Sequence, residues 1–187
     1  MNAAAFFSRW RVRLGYPLAI AVLIFARPTP GSIVSGALVG IAGLLVRAYA
    51  AGYLHKQEIL TMTGPYAYTR NPLYLGSALL VLGTGIAAHS WISALLLWGY
   101  FALFYFVVMR REEQELGAQH GRAFDVYART VPLFLPRLRP VNAEIAGRAA
   151  FSYAQYKKNR EYRAAIGFLV VLVVLFSRWF IGLKFPE

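Results

Sequence analysis

Two short segments of the chain combine residue types that can bind a charged organic ligand. The first runs from Thr63 to Gly76 and holds three tyrosines, an arginine and an Asn-Pro step directly before an apolar helix. The second runs from Arg110 to Leu116, where an apolar run ends in two arginines and three glutamates. Carboxylates and aromatic rings bind cationic groups, and a turn at a membrane surface must pair its backbone polar groups or face water. Both segments are therefore candidate parts of a ligand site.

The elements that must position these segments are apolar runs. Of the 187 residues, 58% are hydrophobic, and they gather into runs too long and uniform for an amphipathic soluble fold. A helix needs roughly 20 residues to cross a hydrocarbon core of about 30 Å. The candidate spans are Leu14 to Ala26, Ile33 to Leu54, Leu73 to Ala88, Trp91 to Met109 and Ala164 to Leu183. We expect an all-α integral membrane protein with about five transmembrane helices, in which residues 73–88 and 91–109 form a helical hairpin.

The distribution of positive charge predicts the orientation in the membrane. If the N-terminus is cytoplasmic, 17 of the 20 lysines and arginines fall in cytoplasmic segments, which is the positive-inside pattern. We therefore expect the N-terminus and the candidate site to be cytoplasmic and the C-terminus to lie outside. Basic loops that face anionic lipid account for the net charge of +12, so no nucleic acid partner is expected.

The organisation of the chain is simple. No repeat or linker divides it, so residues 1–187 are expected to form a single membrane domain. In the second span small residues recur at helical spacing, which predicts close packing of another helix on Ser32, Gly36, Gly40 and Gly43. The chain has no cysteine, and its three histidines are scattered, so neither disulfides nor a metal site is expected.

The hairpin brings the two candidate segments together. It returns the chain to the side that it left, so Glu112 is expected at the same interface as the turn that contains Tyr66 and Tyr74. A third segment, residues 121–136, contains Pro132 and Pro136, which prevent a continuous helix. We expect an extended, partly apolar strip that folds back over the site. Structural alternatives remain for both segments, because an interfacial aromatic belt also supplies tyrosines and a solvated helix end also explains the glutamates.

Several short motifs occur in order along the chain. They are Gly-Pro-Tyr, Arg-Asn-Pro-x-Tyr-x-Gly, a hairpin, Glu-Glu-x-x-Leu, Gly-x-x-Phe-x-x-Tyr and Val-Pro-x-x-x-Pro. This order resembles the integral membrane methyltransferases of the isoprenylcysteine carboxyl methyltransferase family and the related phospholipid methyltransferases. The resemblance covers about residues 47–136, the methyltransferase-like core.

The resemblance implies S-adenosylmethionine as cofactor and a lipid or lipid-modified acceptor that reaches the site from the bilayer. The cofactor-binding residues that it implies are Glu58, Ile59, Leu60, Thr61, Tyr66, Asn71, Pro72, Leu73, Tyr74 and Glu112. Four positions depart from the family pattern. Asn71 stands where some members have histidine, so it cannot act as an acid or base, and Val108 stands at the position of the substrate-binding arginine. His120 replaces a usual phenylalanine, and Phe124 replaces a usual tyrosine.

The catalytic residues depend on the acceptor. A carboxylate needs no base, only an anchoring cation, for which Arg110 and Arg111 are the candidates. An amine has to lose a proton, and the candidate bases are Glu113, His55 and Tyr68. The sequence leaves O-methylation of an isoprenylcysteine-type carboxylate and N-methylation of a lipid amine open.

The C-terminal part, about residues 141–187, extends beyond this core. We expect an amphipathic interfacial helix from Asn142 to Arg163, capped by Asn142, and then a last transmembrane helix. Its expected role is anchoring or closing one flank of a lipid-access groove. Two other functions stay open: a membrane sterol or steroid reductase that uses NADPH, and a non-enzymatic membrane scaffold. The expected location is a prokaryotic inner membrane.

Overall fold

A computed structural model of the chain describes residues 3–55, 59–141 and 150–184, and within these ranges the regular structure is helical. The seven α-helices are α1 (Ala3–Phe25), α2 (Pro30–Tyr53), α3 (Pro72–Ala88), α4 (Trp91–His120), α5 (Arg122–Thr130), α6 (Tyr153–Lys158) and α7 (Tyr162–Lys184). One 3-10 turn, Gly64–Ala67, lies between α2 and α3.

The helices confirm the prediction of an all-α membrane protein. Three are long and apolar enough to cross a membrane, namely α2, α4 and α7 as far as Gly182. Arg13–Phe25 within α1 and the whole of α3 form two shorter apolar helices. The fourth helix continues past the apolar run to His120, as its helix-forming residues predict, and therefore carries Arg110 to Glu115 out of the apolar region.

Local sequence signals account for the helix boundaries. Thr29 caps α2 in a reciprocal capping box with Ser32, and Pro30 occupies the first turn. The third helix ends at Ala88, where His89 adopts a left-handed conformation with φ of 48°. Ser90 then caps α4 by accepting a hydrogen bond from the backbone of Ser93. Two residues therefore suffice to form the predicted hairpin.

The second and third helices pack with their backbones in close contact. A Cβ atom added at Gly36 would lie 2.3 Å from the carbonyl oxygen of Gly83, and one at Gly43 would lie 2.7 Å from that of Gly76. Gly40 instead faces the ring of Phe168 on α7. The small residues of α2 therefore form the predicted packing ridge, and they serve two neighbouring helices.

Hydrogen bonds show which helix ends lie together. The backbone nitrogen of Arg27, just after α1, donates to the carbonyl of Ala88 at 2.8 Å. Arg178 near the end of α7 donates to the carbonyl of Ala26 at 3.0 Å. The end of α1, the end of α3 and the end of α7 are therefore neighbours. The start of α3 and the C-terminal half of α4 lie at the opposite end of the bundle, where the candidate site forms.

The predicted helix from Asn142 to Arg163 is not continuous. Residues 142–149, including Asn142, lie outside the described residues; residues 150–152 are not helical, and a helix begins at Tyr153, capped by Ser152. It ends at Lys158 because Arg160 takes a left-handed conformation with φ of 54°, which no helix can contain. A second helix, α7, then starts at Tyr162.

Candidate active site

The turn before α3 and the outer part of α4 enclose a cavity of about 1080 Å³. Its size exceeds the usual range of small-molecule sites, about 300–1,000 Å³. Nine of the ten predicted cofactor-binding residues line it: Ile59, Leu60, Thr61, Tyr66, Asn71, Pro72, Leu73, Tyr74 and Glu112. The tenth, Glu58, lies outside the described residues. Their role in binding a cofactor stays a prediction, but the structure gathers them around one space.

The two candidate segments meet in this cavity through Tyr74 and Glu112. Tyr74 lies in the first turn of α3, and its hydroxyl donates to Oε1 of Glu112 on α4 at 2.7 Å. Its ring also packs edge-on against Tyr105 of α4, with ring centroids 5.4 Å apart. The carboxylate of Glu112 is thus oriented by a neutral partner and keeps its negative charge available.

Tyr66 is the most unusual lining residue. It is 6% exposed, and its hydroxyl has no hydrogen-bond partner among the described residues. Burial raises the pKa of this hydroxyl well above its usual range, and the neighbouring Tyr127, Glu112 and Glu161 raise the pKa further. The hydroxyl therefore stays protonated and is a donor without an acceptor. A buried donor without an acceptor destabilises the folded protein unless a ligand or a water molecule accepts its hydrogen bond.

The arginines of the cavity wall are bound by carboxylates. Arg70 forms a close ion pair with Glu113, and Arg111 pairs with Glu115 at 2.6 Å. Deeper in the bundle Arg47 pairs with Glu161. The wall therefore holds three arginines and four glutamates. Within the described part of the chain, Glu112 is the lining glutamate that has no cation within ion-pair distance, so the wall has an excess of one negative charge.

The three predicted catalytic residues occupy different positions. Glu113 is 15% exposed and bound by both Arg70 and Arg110, the latter at 3.2 Å. Arg110 is 57% exposed, lies over the ring of Phe106 and does not line the cavity. Arg111 lines the cavity and is 47% exposed. The geometry therefore brings Arg111 and Glu113 to the site, with Glu113 held in an ion pair, and leaves Arg110 on the outer face of α4.

The prediction of an extended strip over residues 121–136 is wrong for its first part, because Arg122–Thr130 forms α5 before the first proline. From Val131 to Val141 the chain is a non-helical strip, as the prolines predict, and packs back on the turn. Arg70 donates from its backbone to the carbonyl of Pro132 at 2.9 Å, and the backbone of Val141 donates to that of Ala67 at 3.1 Å. The side chain of Asn71 also binds the strip: its amide nitrogen donates to the carbonyl of Leu133 at 3.0 Å. The strip is thus pinned to the turn along its length and supports the turn from behind, since none of the residues 131–141 lines the cavity.

Several residues of the site were not among those predicted from the sequence. Arg47 and Glu161 line the cavity, and Tyr127 donates to the carbonyl of Tyr66 at 2.8 Å. An arginine inside an apolar helix is itself a signal of function, so Arg47 was recognisable. No local pattern marks Glu161. In the part of the chain that the structure describes, no three histidine, aspartate or glutamate side chains form a group that could hold a metal ion.

Comparison with known proteins relates the segment that holds most of the lining residues to a known family. A family model described as phospholipid methyltransferase matches residues 33–122, which include Tyr66, Tyr74 and Glu112. This segment, just under half of the chain, therefore matches the phospholipid methyltransferase family. The family segment ends at residue 122, before Tyr127, the strip of residues 131–141 and Glu161.

Three curated proteins are similar to the chain. The nickel-cobalt-cadmium resistance protein NccN of Alcaligenes xylosoxydans is 34% identical over 72% of this chain and 66% of its own length. The cobalt-zinc-cadmium resistance protein CzcN of Cupriavidus metallidurans is 34% identical over 69% of this chain and 62% of its own. The protein-S-isoprenylcysteine O-methyltransferase of Schizosaccharomyces pombe is 30% identical over 51% of this chain and 40% of its own. The matches thus span less than two thirds of each relative. No solved structure matches the chain.

Proposed function

We propose that the protein is a membrane methyltransferase that uses S-adenosylmethionine to methylate a membrane-borne, hydrophobic acceptor. The observation that carries the proposal is the pairing of Tyr74 with Glu112 beside the unpartnered hydroxyl of Tyr66, inside the segment that matches the phospholipid methyltransferase family. One relative is named as an isoprenylcysteine O-methyltransferase, which favours the same chemistry.

The residues present fit this cofactor. S-adenosylmethionine carries an ammonium, a sulfonium and a carboxylate, so its net charge is positive and complements the single excess negative charge of the cavity wall. Glu112 is the residue that would bind the ammonium, held in place by Tyr74. The protonated hydroxyl of Tyr66 is a donor for the carboxylate or for an adenine or ribose acceptor. The predicted contacts of Glu58, Ile59, Leu60 and Thr61 belong to the same proposal.

The chemistry needs little from the protein beyond orientation and the exclusion of water. When bound, S-adenosylmethionine supplies an activated methyl group, which passes from sulfur to an acceptor oxygen or nitrogen and leaves S-adenosylhomocysteine. The buried ring of Tyr66 forms part of the cavity wall, and the strip holds the turn that carries it. The walls built by α3 and α4 would orient the reactants, which would lower the entropic part of the barrier.

Arg111 is the proposed anchor for an acidic acceptor. Its ion pair with Glu115 is exposed, and such pairs contribute only about 0–1 kcal/mol, so an acceptor carboxylate can replace Glu115 at little cost. Arg110 lies outside the cavity and supports this function only through Glu113. For an amine acceptor the proposed base is Glu113, which has to leave its pair with Arg70 before it can accept a proton.

The orientation of the site is also a proposal. The end of the bundle that contains the cavity carries Arg47, Arg70 and the arginines of α4, and the positive-inside pattern then favours a cytoplasmic site. We propose that the described helices belong to one membrane domain of a prokaryotic inner membrane, with the acceptor entering laterally from the bilayer.

Calorimetry on the purified protein tests the cofactor. We expect S-adenosylhomocysteine to bind and NADPH to give no heat of binding, because the wall carries an excess of negative charge that repels nucleotide phosphates. Binding of NADPH alone would favour the reductase, and binding of neither would favour a scaffold. Membranes incubated with methyl-labelled S-adenosylmethionine then identify the acceptor, since a methyl ester is released by mild base and a methylamine is not.

A further inference from the structure

The ion pair between Arg47 and Glu161 joins α2 to the turn before α7, two segments that are far apart in the sequence. Oε2 of Glu161 accepts from Nε of Arg47 at 2.9 Å and lies 2.7 Å from its Nη2. The two side chains are 19% and 11% exposed, and both line the cavity. Glu161 lies outside the family segment, which ends at residue 122. The C-terminal part therefore contributes a charged group to the site.

Arg47 uses its remaining nitrogen to hold the start of α3. Its Nη1 donates to the carbonyl of Leu73 at 3.1 Å and also to the hydroxyl of Ser77. The hydroxyl of Ser77 donates in turn to the carbonyl of Leu73 at 3.0 Å. Leu73 directly precedes Tyr74, whose hydroxyl binds Glu112. Polar contacts thus connect Glu161 with the backbone of Leu73, and the neighbouring Tyr74 carries the connection through its side chain to Glu112.

The turn before α7 is built to present Glu161. The amide nitrogen of Asn159 donates to the carbonyls of Ala51 at 2.8 Å and Leu54 at 2.9 Å, so it caps the end of α2. Arg160 then adopts its left-handed conformation, which is unfavourable for a residue with a side chain. This turn brings the next residue, Glu161, to Arg47. The unfavourable backbone at this point indicates a local demand on geometry.

We propose that Glu161 is a positioning residue for the methyl-transfer site, acting through Arg47 to fix the first turn of α3 and hence Tyr74 and Glu112. This inference rests on the proposed function. It assigns to the segment from α6 to α7 a part in forming the site, beyond anchoring the protein. A buried ion pair is costly to desolvate and contributes little net stability, so a geometric role explains why charged groups occupy this position.

A double-mutant cycle between Glu161 and Tyr74 tests the proposal, with the affinity for S-adenosylhomocysteine measured by calorimetry. We expect Glu161→Gln to weaken binding by about tenfold, because the ion pair with Arg47 loses its negative charge. Tyr74→Phe should weaken binding by a similar factor, because it loses a hydrogen bond to the carboxylate of Glu112. Because Glu161 acts through the turn that carries Tyr74, the double variant should bind about as well as Tyr74→Phe alone. Losses that multiply in the double variant would overturn the proposal.

Two further variants separate positioning from general stability. Arg178→Met removes a contact between α7 and α1 at the opposite end of the same helix, so it should lower the melting temperature and leave the affinity unchanged. The double variant Arg47→Met and Glu161→Met removes both charges. It should be more stable than a variant that leaves one charge unpaired, but its affinity for S-adenosylhomocysteine should stay low. Wild-type affinity in this double variant, or an affinity loss in Arg178→Met equal to that in Glu161→Gln, would overturn the proposal.

The wild-type protein tests the proposed function, and the Glu161→Gln variant tests the positioning role. If the wild-type protein does not bind S-adenosylhomocysteine, the cofactor assignment fails, and with it the basis for this inference. If the wild type binds and Glu161→Gln binds equally well, the positioning role fails while the cofactor assignment stands.

Discussion

The hydroxyl of Tyr74 lies 2.7 Å from Oε1 of Glu112, although the two residues are 38 positions apart in the chain. One belongs to the first turn of α3 and the other to the part of α4 beyond its apolar run. The hairpin at His89 and Ser90 makes this contact possible because it returns α4 along α3 to the end where α3 began. The contact joins the two segments whose residue types first indicated a ligand site.

Glu112 is expected to provide most of the charge complementarity for the cofactor. Glu112→Gln keeps the size and the hydrogen bond acceptor for Tyr74 but removes the charge. We expect the affinity for S-adenosylhomocysteine to fall by about ten- to a hundredfold, the value of a hydrogen bond to a charged group. Asp125→Asn is the matched control, since it removes one negative charge from an exposed position of α5. An equal loss in both variants would show that only the overall charge matters.

Tyr66 is expected to affect stability and binding in opposite directions. Tyr66→Phe removes a buried hydroxyl without a partner. The free energy of unfolding should therefore stay the same or rise, by at most about 3 kcal/mol. The affinity for S-adenosylhomocysteine should fall, because a donor for the ligand is lost. Tyr127→Phe, by contrast, removes a hydrogen bond to the carbonyl of Tyr66 and should lower the melting temperature. If Tyr66→Phe is destabilising and binds normally, the hydroxyl has a structural role instead.

The raised pKa of Tyr66 predicts a loss of stability at high pH. Burial keeps the hydroxyl protonated in the folded protein, whereas in the unfolded chain it titrates near its ordinary value of 10.0. Its contribution is therefore complete below that pH and is lost as the pH rises toward the higher pKa of the folded state. Above pH 10 the slope of the free energy of unfolding against pH should be less steep in Tyr66→Phe by about 1.4 kcal/mol per pH unit. Chemical denaturation at a series of pH values measures it, and equal slopes would contradict the assignment.

The contact of α2 with α3 predicts a strong effect of a single methyl group. Gly36→Ala places a Cβ atom 2.3 Å from the carbonyl oxygen of Gly83 and 2.6 Å from the nitrogen of Ala87, both backbone atoms that cannot rotate away. We expect a loss of about 1–3 kcal/mol in the free energy of unfolding. Gly99→Ala on α4 is the control, because nothing lies within 4 Å of the added methyl group. Similar melting temperatures for the two variants would mean that α2 and α3 pack differently.

Much of the site could be predicted because its signals are local. Pro72 after Asn71 sets the start of α3. Pro132 and Pro136 prevent a helix in the strip of residues 131–141, whatever surrounds them. The helix extension that carries Glu112 follows from residues that favour helix. The interfacial helix was predicted too long, since amphipathic periodicity does not reveal that Arg160 takes a left-handed conformation.

The pairing of charges between distant segments could not be predicted in this way. The spacing of Arg110 and Glu113 on one helix allows an ion pair, which forms at 3.2 Å, but the closer ion pair of Glu113 is with Arg70 from the turn. In the same way Arg47 pairs with Glu161, 114 residues away, and Glu112 has Tyr74 as its partner. Which glutamate keeps its charge for a ligand depends on these distant contacts.

The sequence by itself determined the apolar helices, the hairpin, the turn before α3 and the non-helical strip, because hydrophobicity, proline and capping residues act over a few positions. Only the tertiary structure decided which side chains face the cavity and which are neutralised within it. Ion pairs and buried hydrogen bonds depend on distances of a few ångströms between segments that the sequence separates, and these distances are set when the helices pack.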